Sequence, residues 1–307
     1  MTKFTSLFLA VALAACGGSK PSTSTTTSDQ SATDGHATAF KIGALDAWSI
    51  EDGSIEGPND GKTLGVGVAP EEINKVLAAA GLPTDKIQLG IQALLVKDNG
   101  KVYLFDTGAA DASFAKAGKL QASLAKANVK PGDVTDIFLS HAHPDHTYGL
   151  VAKGALAFPN ATIHMSKPEW EFMQNVMPGM DPGTKAIVPV ITTKVVAFDP
   201  GTDVAPDVKA ISTPGHTPGH SSYEIGAGTD KVFYLGDVAH HSVVNVQKPD
   251  WSDGFDGDHD AANAVRAATL KNLASSGERV FGVHFPYPGV GRIVQDGDHQ
   301  AFKADTL

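Results

Sequence analysis

The sequence predicts a mixed α/β domain built on two sheets, each covered by helices. Three observations carry that prediction. Thirty-two glycines and eighteen prolines punctuate short apolar runs, which favours many turns between strands over a helical bundle. Strand-like runs come in groups without a helix after each one, so the order does not fit a regular βαβ array. No glycine-rich phosphate fingerprint follows the first strand. The 307 residues, 42% hydrophobic and 19% charged, can bury one large core or two small ones, which excludes wholesale disorder.

The elements follow in order. Phe40 to Ile55 reads as a strand pair, and a short helix starts near Pro70 and ends near Ala80. Gln92 to Val96 and Lys101 to Phe105 are apolar runs joined by Lys97-Asp98-Asn99-Gly100, whose Asn-Gly pair is a strong hairpin signal. The hairpin ends in Asp106-Thr107-Gly108. Residues 111–127 place Ala, Leu, Phe and Lys at helical spacing, and Pro131-Gly132 stops that helix before a buried strand at Val134 to Leu139. Further strands are expected at Ala161 to Met165, Lys194 to Phe198, Val208 to Ser212, Ser221 to Ile225, Lys231 to Leu235 and, as the last, Val280 to Val283. Helices are expected at Pro168 to Met177 and Asp260 to Ser275, and no solenoid-type repeat is present.

The first segment reads as an address. Lys3 precedes a largely apolar stretch of twelve residues, Phe4 to Ala15, too short for the roughly 20 that span a bilayer, as in a signal peptide. Leu13-Ala14-Ala15-Cys16 resembles the bacterial lipobox, which implies lipidation at Cys16. Residues 16–37 then form a Ser/Thr-rich tether, and 38–307 the domain. The implied location is export with a membrane anchor, periplasmic or outer membrane, with Gly17 pointing to the latter. The leader and tether hold Lys3, Lys20, Asp29 and Asp34, which cancel, so the net charge of -10 belongs to the domain. Only three arginines, Arg266, Arg279 and Arg292, are present, and no basic stripe exists for nucleic acid. A neutral small molecule suits an acidic domain better than an anion. With Cys16 in the leader, thiol chemistry is also removed.

The chemistry concentrates where the strand at Val134 to Leu139 runs out, in Ser140-His141-Ala142-His143-Pro144-Asp145-His146. Four candidate ligands fall within six positions. His141 and His143 can face one point while the turn at Pro144 sends Asp145 and His146 to a neighbouring one, which suits two metals. Further candidates follow later strands: His216 in Thr213-Pro214-Gly215-His216-Thr217-Pro218-Gly219-His220, Asp237 in Leu235-Gly236-Asp237, and His284. Loops at one edge of a sandwich converge, so distance along the chain is no obstacle.

HxHxDH, then TPGHTPGH, then LGD, then a late strand-end His resembles the metallo-β-lactamase superfamily, whose fold is an αββα sandwich. The resemblance implies His141, His143 and His216 on one metal, Asp145, His146 and His284 on the other, and Asp237 bridging. It also implies that Asp106 supports the metal loop from behind. Imidazole and carboxylate donors favour two zinc ions, with iron, manganese or cobalt as alternatives. Two cations sharing a water would generate a hydroxide nucleophile, so no serine or cysteine nucleophile is required.

Gly236-Asp237-Val238-Ala239-His240-His241, Val246 to Trp251 and His284 to Gly291 are similar to the clade that holds methyl parathion hydrolase and related lactonases. That implies hydrolysis of small neutral lactones, aryl esters or phosphotriesters, with Asp145, Asp237 and His240 as catalytic candidates. Lactonase relatives commonly carry Tyr three residues after the bridging Asp. Here His240 stands in that place and either assists the substrate oxygen or braces its loop. Trp170, Phe172, Phe285 and Tyr287 are candidates to wall an apolar pocket, with core packing as the alternative. His220 reads as a turn or supporting residue. The alternatives are a glyoxalase II-type thioesterase, a one-metal dioxygenase, or a non-catalytic metal-binding lipoprotein. The partners expected are a small-molecule substrate and a membrane reached only through the lipid anchor, with a homodimer compatible and the oligomeric state open.

Overall fold

A computed structural model of the chain describes residues 34–307. The expected signal peptide, Cys16 and most of the tether lie outside the described residues. β1 begins at Ala37, and His36 contacts Glu51.

The first sheet runs β1 (Ala37–Ile42), β2 (Leu45–Pro58), β3 (Lys86–Asp98), β4 (Lys101–Phe105) and β5 (Asp136–Phe138). A small ribbon of β6 (Val151–Ala152) and β7 (Ala155–Leu156) intervenes before β8 (Thr162–Ser166) and β9 (Val195–Phe198) complete that sheet. The second sheet takes seven further strands in sequence order: β10 (Asp203–Ala205), β11 (Val208–Ser212), β12 (Ser221–Ile225), β13 (Val232–Tyr234), β14 (Arg279–Phe281), β15 (Val290–Asp296) and β16 (His299–Ala304). Helices α1 (Pro70–Ala79), α2 (Leu120–Lys126), α3 (Pro144–Thr147), α4 (Lys167–Asn175), α5 (Met177–Met180), α6 (Pro182–Ile191), α7 (Val244–Gln247) and α8 (His259–Ser276) fill the connections.

Four layers result. Phe40, Leu94, Phe105 and Phe138 from the first sheet meet Val208, Tyr223, Tyr234 and Phe281 from the second in one buried cluster between the sheets. The outer face of the first sheet packs Leu95, Leu104, Ile137 and Ile163 against Leu120 and Leu124 of α2, Met173 of α4 and Ile187 and Ile191 of α6. Phe233 and Val280 pack against Leu270 and Leu273 of α8 on the other side. This is the αββα sandwich that the resemblance implied. Among the described residues no helix is long and apolar enough to cross a membrane.

Two expectations are corrected. The strand expected as the last, at Val280 to Val283, is followed by β15 and β16, which extend the second sheet as an antiparallel hairpin on β14. The helix expected over 111–127 forms only from Leu120 to Lys126. Upstream of it, the buried carboxylate of Asp52 accepts the backbone N–H groups of Ala109, Gly118 and Leu120, and Lys116 bridges to Ser54. A side chain that captures backbone donors competes directly with the helical ladder.

Candidate metal centre

Parallel pairing of β4 with β5 and of β13 with β14 sends the ends of these strands to one edge of the sandwich. The ligands of the His141–His146 loop, Asp237 and His284 follow β5, β13 and β14, and His216 follows β11, which runs the same way as β13 because both lie antiparallel to β12. Cross-sheet bonds fix that edge: Tyr223 donates to the Leu139 carbonyl at 2.6 Å, and the Ser221 N–H to the Ser140 carbonyl at 2.9 Å. The residues expected as ligands are brought together there, in two groups among the described residues: His141, His143, His216 and Asp237, and Asp145, His146 and His284.

In the first group, His143 Nδ1 lies 2.8 Å from His216 Nε2 and 3.0 Å from His141 Nε2, and the two Nε2 atoms are 3.2 Å apart. Donors so spaced can share a point about 2 Å from each, the usual Zn–N length. In the second, His146 Nε2 and His284 Nε2 each lie 3.2 Å from Asp237 Oδ1 and 3.6 and 3.5 Å from Asp145 Oδ2. Asp237 stands between them. Its Oδ1 faces the second group, while its Oδ2 lies 3.3 Å from His216 Nε2 and 3.6 Å from His141 Nε2.

The hydrogen-bond network fixes which nitrogens face inward. His146 Nδ1 meets Asp106 at 2.7 Å, His216 Nδ1 meets Asp256 at 3.0 Å, and His284 Nδ1 meets the Gly90 carbonyl at 2.7 Å. Ser140 Oγ donates its one proton to Asp106, so it accepts from His141 Nδ1 at 2.9 Å. In these four histidines Nδ1 therefore carries a proton and Nε2 turns a lone pair toward the centre, whereas His143 faces it through Nδ1. Lone pairs 3.2 Å apart repel unless a cation lies between them. His146 Nε2 and Asp237 Oδ1 are buried with no hydrogen-bond partner among the described residues. Burial and the neighbouring imidazoles hold His141 and His143 well below the usual histidine range, which keeps them neutral. Burial works the same way on His146, but the Asp237, Asp145 and Asp106 carboxylates outweigh it and hold His146 well above that range, which marks an excess of negative charge in the second group. Neutral His141 and His143, inward lone pairs, orphaned acceptors and that excess charge fit two divalent cations.

The supporting residues explain the local chain. Asp106, at a left-handed φ of 60°, accepts from Ser140 N–H and Oγ, His146 Nδ1 and the Tyr234 hydroxyl. His220 does not face the centre. Its Nε2 accepts the Asp237 N–H at 2.9 Å, and its Nδ1 meets Thr213 Oγ1. Gly236 just before has φ 53°, and a Cβ there would stand 2.6 Å from His220 Nε2. His240 is buried, with Nδ1 2.8 Å from Asp253 and Nε2 3.2 Å from Asp237 Oδ2, yet Nε2 makes no hydrogen bond.

The candidate pocket walls fare differently. Phe285 is fully buried against Phe302, its carbonyl held by Gln92, so it belongs to the core and is withdrawn as a wall. The Tyr287 hydroxyl donates to the Ser49 carbonyl and meets the Thr38 hydroxyl, and so braces β1 and β2. Trp170 and Phe172 pack, partly buried, on the core outside the first sheet. The sequence gives no warning of Phe255, which is 42% exposed with its ring 5.3 Å from that of His240. It equally conceals Glu169, whose buried carboxylate accepts from Ala142 N, Gly219 N and Thr217 Oγ1 and so ties the loop of His141 and His143 to that of His216. Asp253, Asp256 and Arg266 are buried beside the centre as well, and no motif in the sequence points to them.

A family profile described as the metallo-β-lactamase superfamily matches residues 87–284. N-acyl homoserine lactonases of Bacillus sp. and Bacillus cereus are each 31% identical over 133 residues, 43% of this chain and 49% of theirs. The chain thus spans about half the length of the curated relatives it matches. Among solved structures, AidC, a dizinc quorum-quenching lactonase in complex with a product, superposes with a TM-score of 0.83 at 32% identity over 89% of this chain and 98% of that one. The structure of AbOPH, a hydrolase in the β-lactamase superfamily, gives 0.81 at 24% identity over 89% and 98%, a likeness of fold alone. With two His/Asp groups at the sheet edge and a profile match over most of the sandwich, the chain belongs to the metallo-β-lactamase superfamily.

Proposed function

We propose that the protein is a dinuclear metal-dependent hydrolase of small neutral lactones, with N-acyl homoserine lactones as the first substrates to test and aryl esters and phosphotriesters as the next. The observation that carries this reading is Asp237, one carboxylate oxygen turned to each ligand group. His141, His143 and His216 would hold one cation, Asp145, His146 and His284 the other, and Asp237 both. Zinc fits this donor set first. When bound, two such cations supply Lewis acidity that activates water near neutral pH and polarises a carbonyl or phosphoryl oxygen.

The chain's own residues do the rest. Asp106, Asp256, Ser140 and the Gly90 carbonyl hold protons on the outer nitrogens of the histidines, which keeps the inner ones free to bind. His240 turns its unpartnered Nε2 to the centre, where it is placed to orient the substrate oxygen, and Phe255 offers an apolar wall beside it. Arg266 is fully buried and committed to carbonyl and carboxylate groups, so it does not attract an anionic substrate. The lactonase names of the relatives support lactones. Metal analysis of the purified protein, with turnover of N-hexanoyl homoserine lactone, an aryl ester, a phosphotriester and S-lactoylglutathione, tests the reading. Two ions per chain and fastest turnover of the lactone are expected. Preference for the glutathione thioester would replace the reading with a glyoxalase II-type activity, and a metal-loaded protein inert to the whole panel with a binding role.

The assignment of residues 1–15 as a lipoprotein signal, 16–37 as lipidated Cys16 and tether, and 38–307 as the catalytic domain is part of the same proposal. Incorporation of labelled palmitate that disappears in Cys16→Ala tests it.

A further inference from the structure

Between α7 and α8 the chain passes along the metal centre as a strap, residues 249–258. The strap is fastened at its outer side, where Val66 N–H donates to the Ser252 carbonyl, Gly254 N–H to the Thr63 carbonyl, and Leu64 bridges to Asp253. Two of its side chains turn inward and are fully or nearly fully buried: Asp253 and Asp256. Asp256 Oδ1 accepts from His216 Nδ1, and Asp253 Oδ2 from His240 Nδ1. Two like charges this deep repel each other and are costly to bury without a cation.

Arg266, on α8, supplies it. Its Nη2 lies 2.7 Å from Asp256 Oδ2 and 3.4 Å from Asp253 Oδ2, so one guanidinium nitrogen spans both carboxylates. The rest of the fork goes mainly to backbone: Nε donates to the Val238 carbonyl at 2.8 Å and Nη1 to the Trp251 carbonyl at 2.9 Å, with the Asn263 side-chain oxygen also 3.0 Å from Nη1. Arg266 thereby fixes the strap to the segment that carries Asp237 and His240. Asn245 completes the set, accepting the His240 N–H and donating to both Asp253 oxygens.

We propose that Arg266 is a positioning residue of the metal centre: it holds Asp256 and Asp253 side by side, the one aiming His216 at the first ligand group and the other aiming His240 at the same centre. The proposal rests on the dinuclear hydrolase reading and extends it to groups that touch neither metal nor substrate. Its signature is a division of labour. Asp256 acts through a metal-binding histidine and Asp253 through one outside the ligand set.

The test uses the full chain with Asp256→Asn, Asp253→Asn, Arg266→Lys and Arg266→Met, each measured for Zn²⁺ affinity by chelator competition, for kcat and KM on N-hexanoyl homoserine lactone, and for thermal unfolding. Asp256→Asn is expected to weaken Zn²⁺ binding by about 10–100-fold, the usual cost of losing such an outer partner. Asp253→Asn should keep parental Zn²⁺ affinity and lower kcat with KM little changed. Arg266→Met should show both defects and Arg266→Lys recover part of each, because lysine keeps the charge without the fork. The idea is overturned if the two Asn variants behave alike, or if the Arg266 variants lose only thermal stability. Should Arg266→Met fail to fold, the Asn variants and Arg266→Lys decide. A parent that binds fewer than two Zn²⁺ ions sinks the functional reading by itself. In that event ring ¹⁵N–¹H correlations of the metal-free protein still decide the positioning role: Asp256→Asn should disturb His216 alone, Asp253→Asn His240 alone, and Arg266→Lys both.

Discussion

Asp106→Asn tests the support behind the ligands without touching one. The backbone there is left-handed, at φ 60°, a conformation asparagine tolerates, so strain changes little. The carboxylate accepts three donors on Oδ2, from Ser140 Oγ, His146 Nδ1 and the Tyr234 hydroxyl, each at 2.7 Å, and one on Oδ1, from Ser140 N–H at 2.8 Å. An amide keeps at most the Oδ2 set and turns its NH₂ against the Ser140 N–H. A buried donor left facing a donor costs about 1–3 kcal/mol, and the surviving bonds weaken from about 1.5–3 to about 0.5–1.5 kcal/mol each once the charge is gone. Relief of burying that charge offsets part of the sum. A net loss on the order of 3 kcal/mol is expected, read as a lower urea midpoint in chelator. The same change removes the anion that makes His146 a better donor, so the second ion should be held about 10–100-fold more weakly. A variant that matches the parent in both midpoint and metal retention would refute the reasoning.

Three further outcomes are expected. Gly236→Ala should lower turnover and metal retention together, because its Cβ meets His220 at 2.6 Å and shifts the backbone of Asp237; a parental kcat would show that the loop relaxes freely. His143→Ala or Asp237→Ala should abolish turnover with loss of metal, whereas His240→Ala should alter rate or preference with both ions retained; loss of ions from His240→Ala would place it among the ligands. Burial pushes the Glu169 carboxyl up to about 7, against the bonds from Thr217, Ala142 and Gly219. A raised folded pKa makes the group's contribution complete below its unfolded value, near 4.5, and lost as pH climbs through about 7. In chelator, the stability advantage of the parent over Glu169→Gln should therefore shrink by on the order of 3 kcal/mol between pH 4 and 8; an advantage that grows with pH contradicts the sign.

The ligand groups were legible because strand-end histidines and aspartates in fixed short motifs have few other uses, and the alternation of apolar runs placed most strands within a residue or two. What escaped was decided by contacts distant in sequence. Residues 111–119 have helical spacing, but Asp52, on β2, takes the backbone donors that a helix would need. No element is expected at α6, whose residues include Pro182, Gly183 and Pro189, yet the Asp181 side chain caps its first turn through Thr184 N. Phe285 looked like a pocket wall beside His284, yet Gly282 leaves room for its ring inside the core. Asp253 and Asp256 lie in a glycine-rich stretch, and only the fold brings Arg266 to them.

The account turns on two cations sharing Asp237, and anomalous diffraction from crystals of the purified protein, with an X-ray fluorescence scan to name the element, measures that directly. Two peaks are predicted, one among His141, His143 and His216 and one among Asp145, His146 and His284, each against a different oxygen of Asp237. A single peak, or a pair that leaves Asp237 unshared, contradicts it.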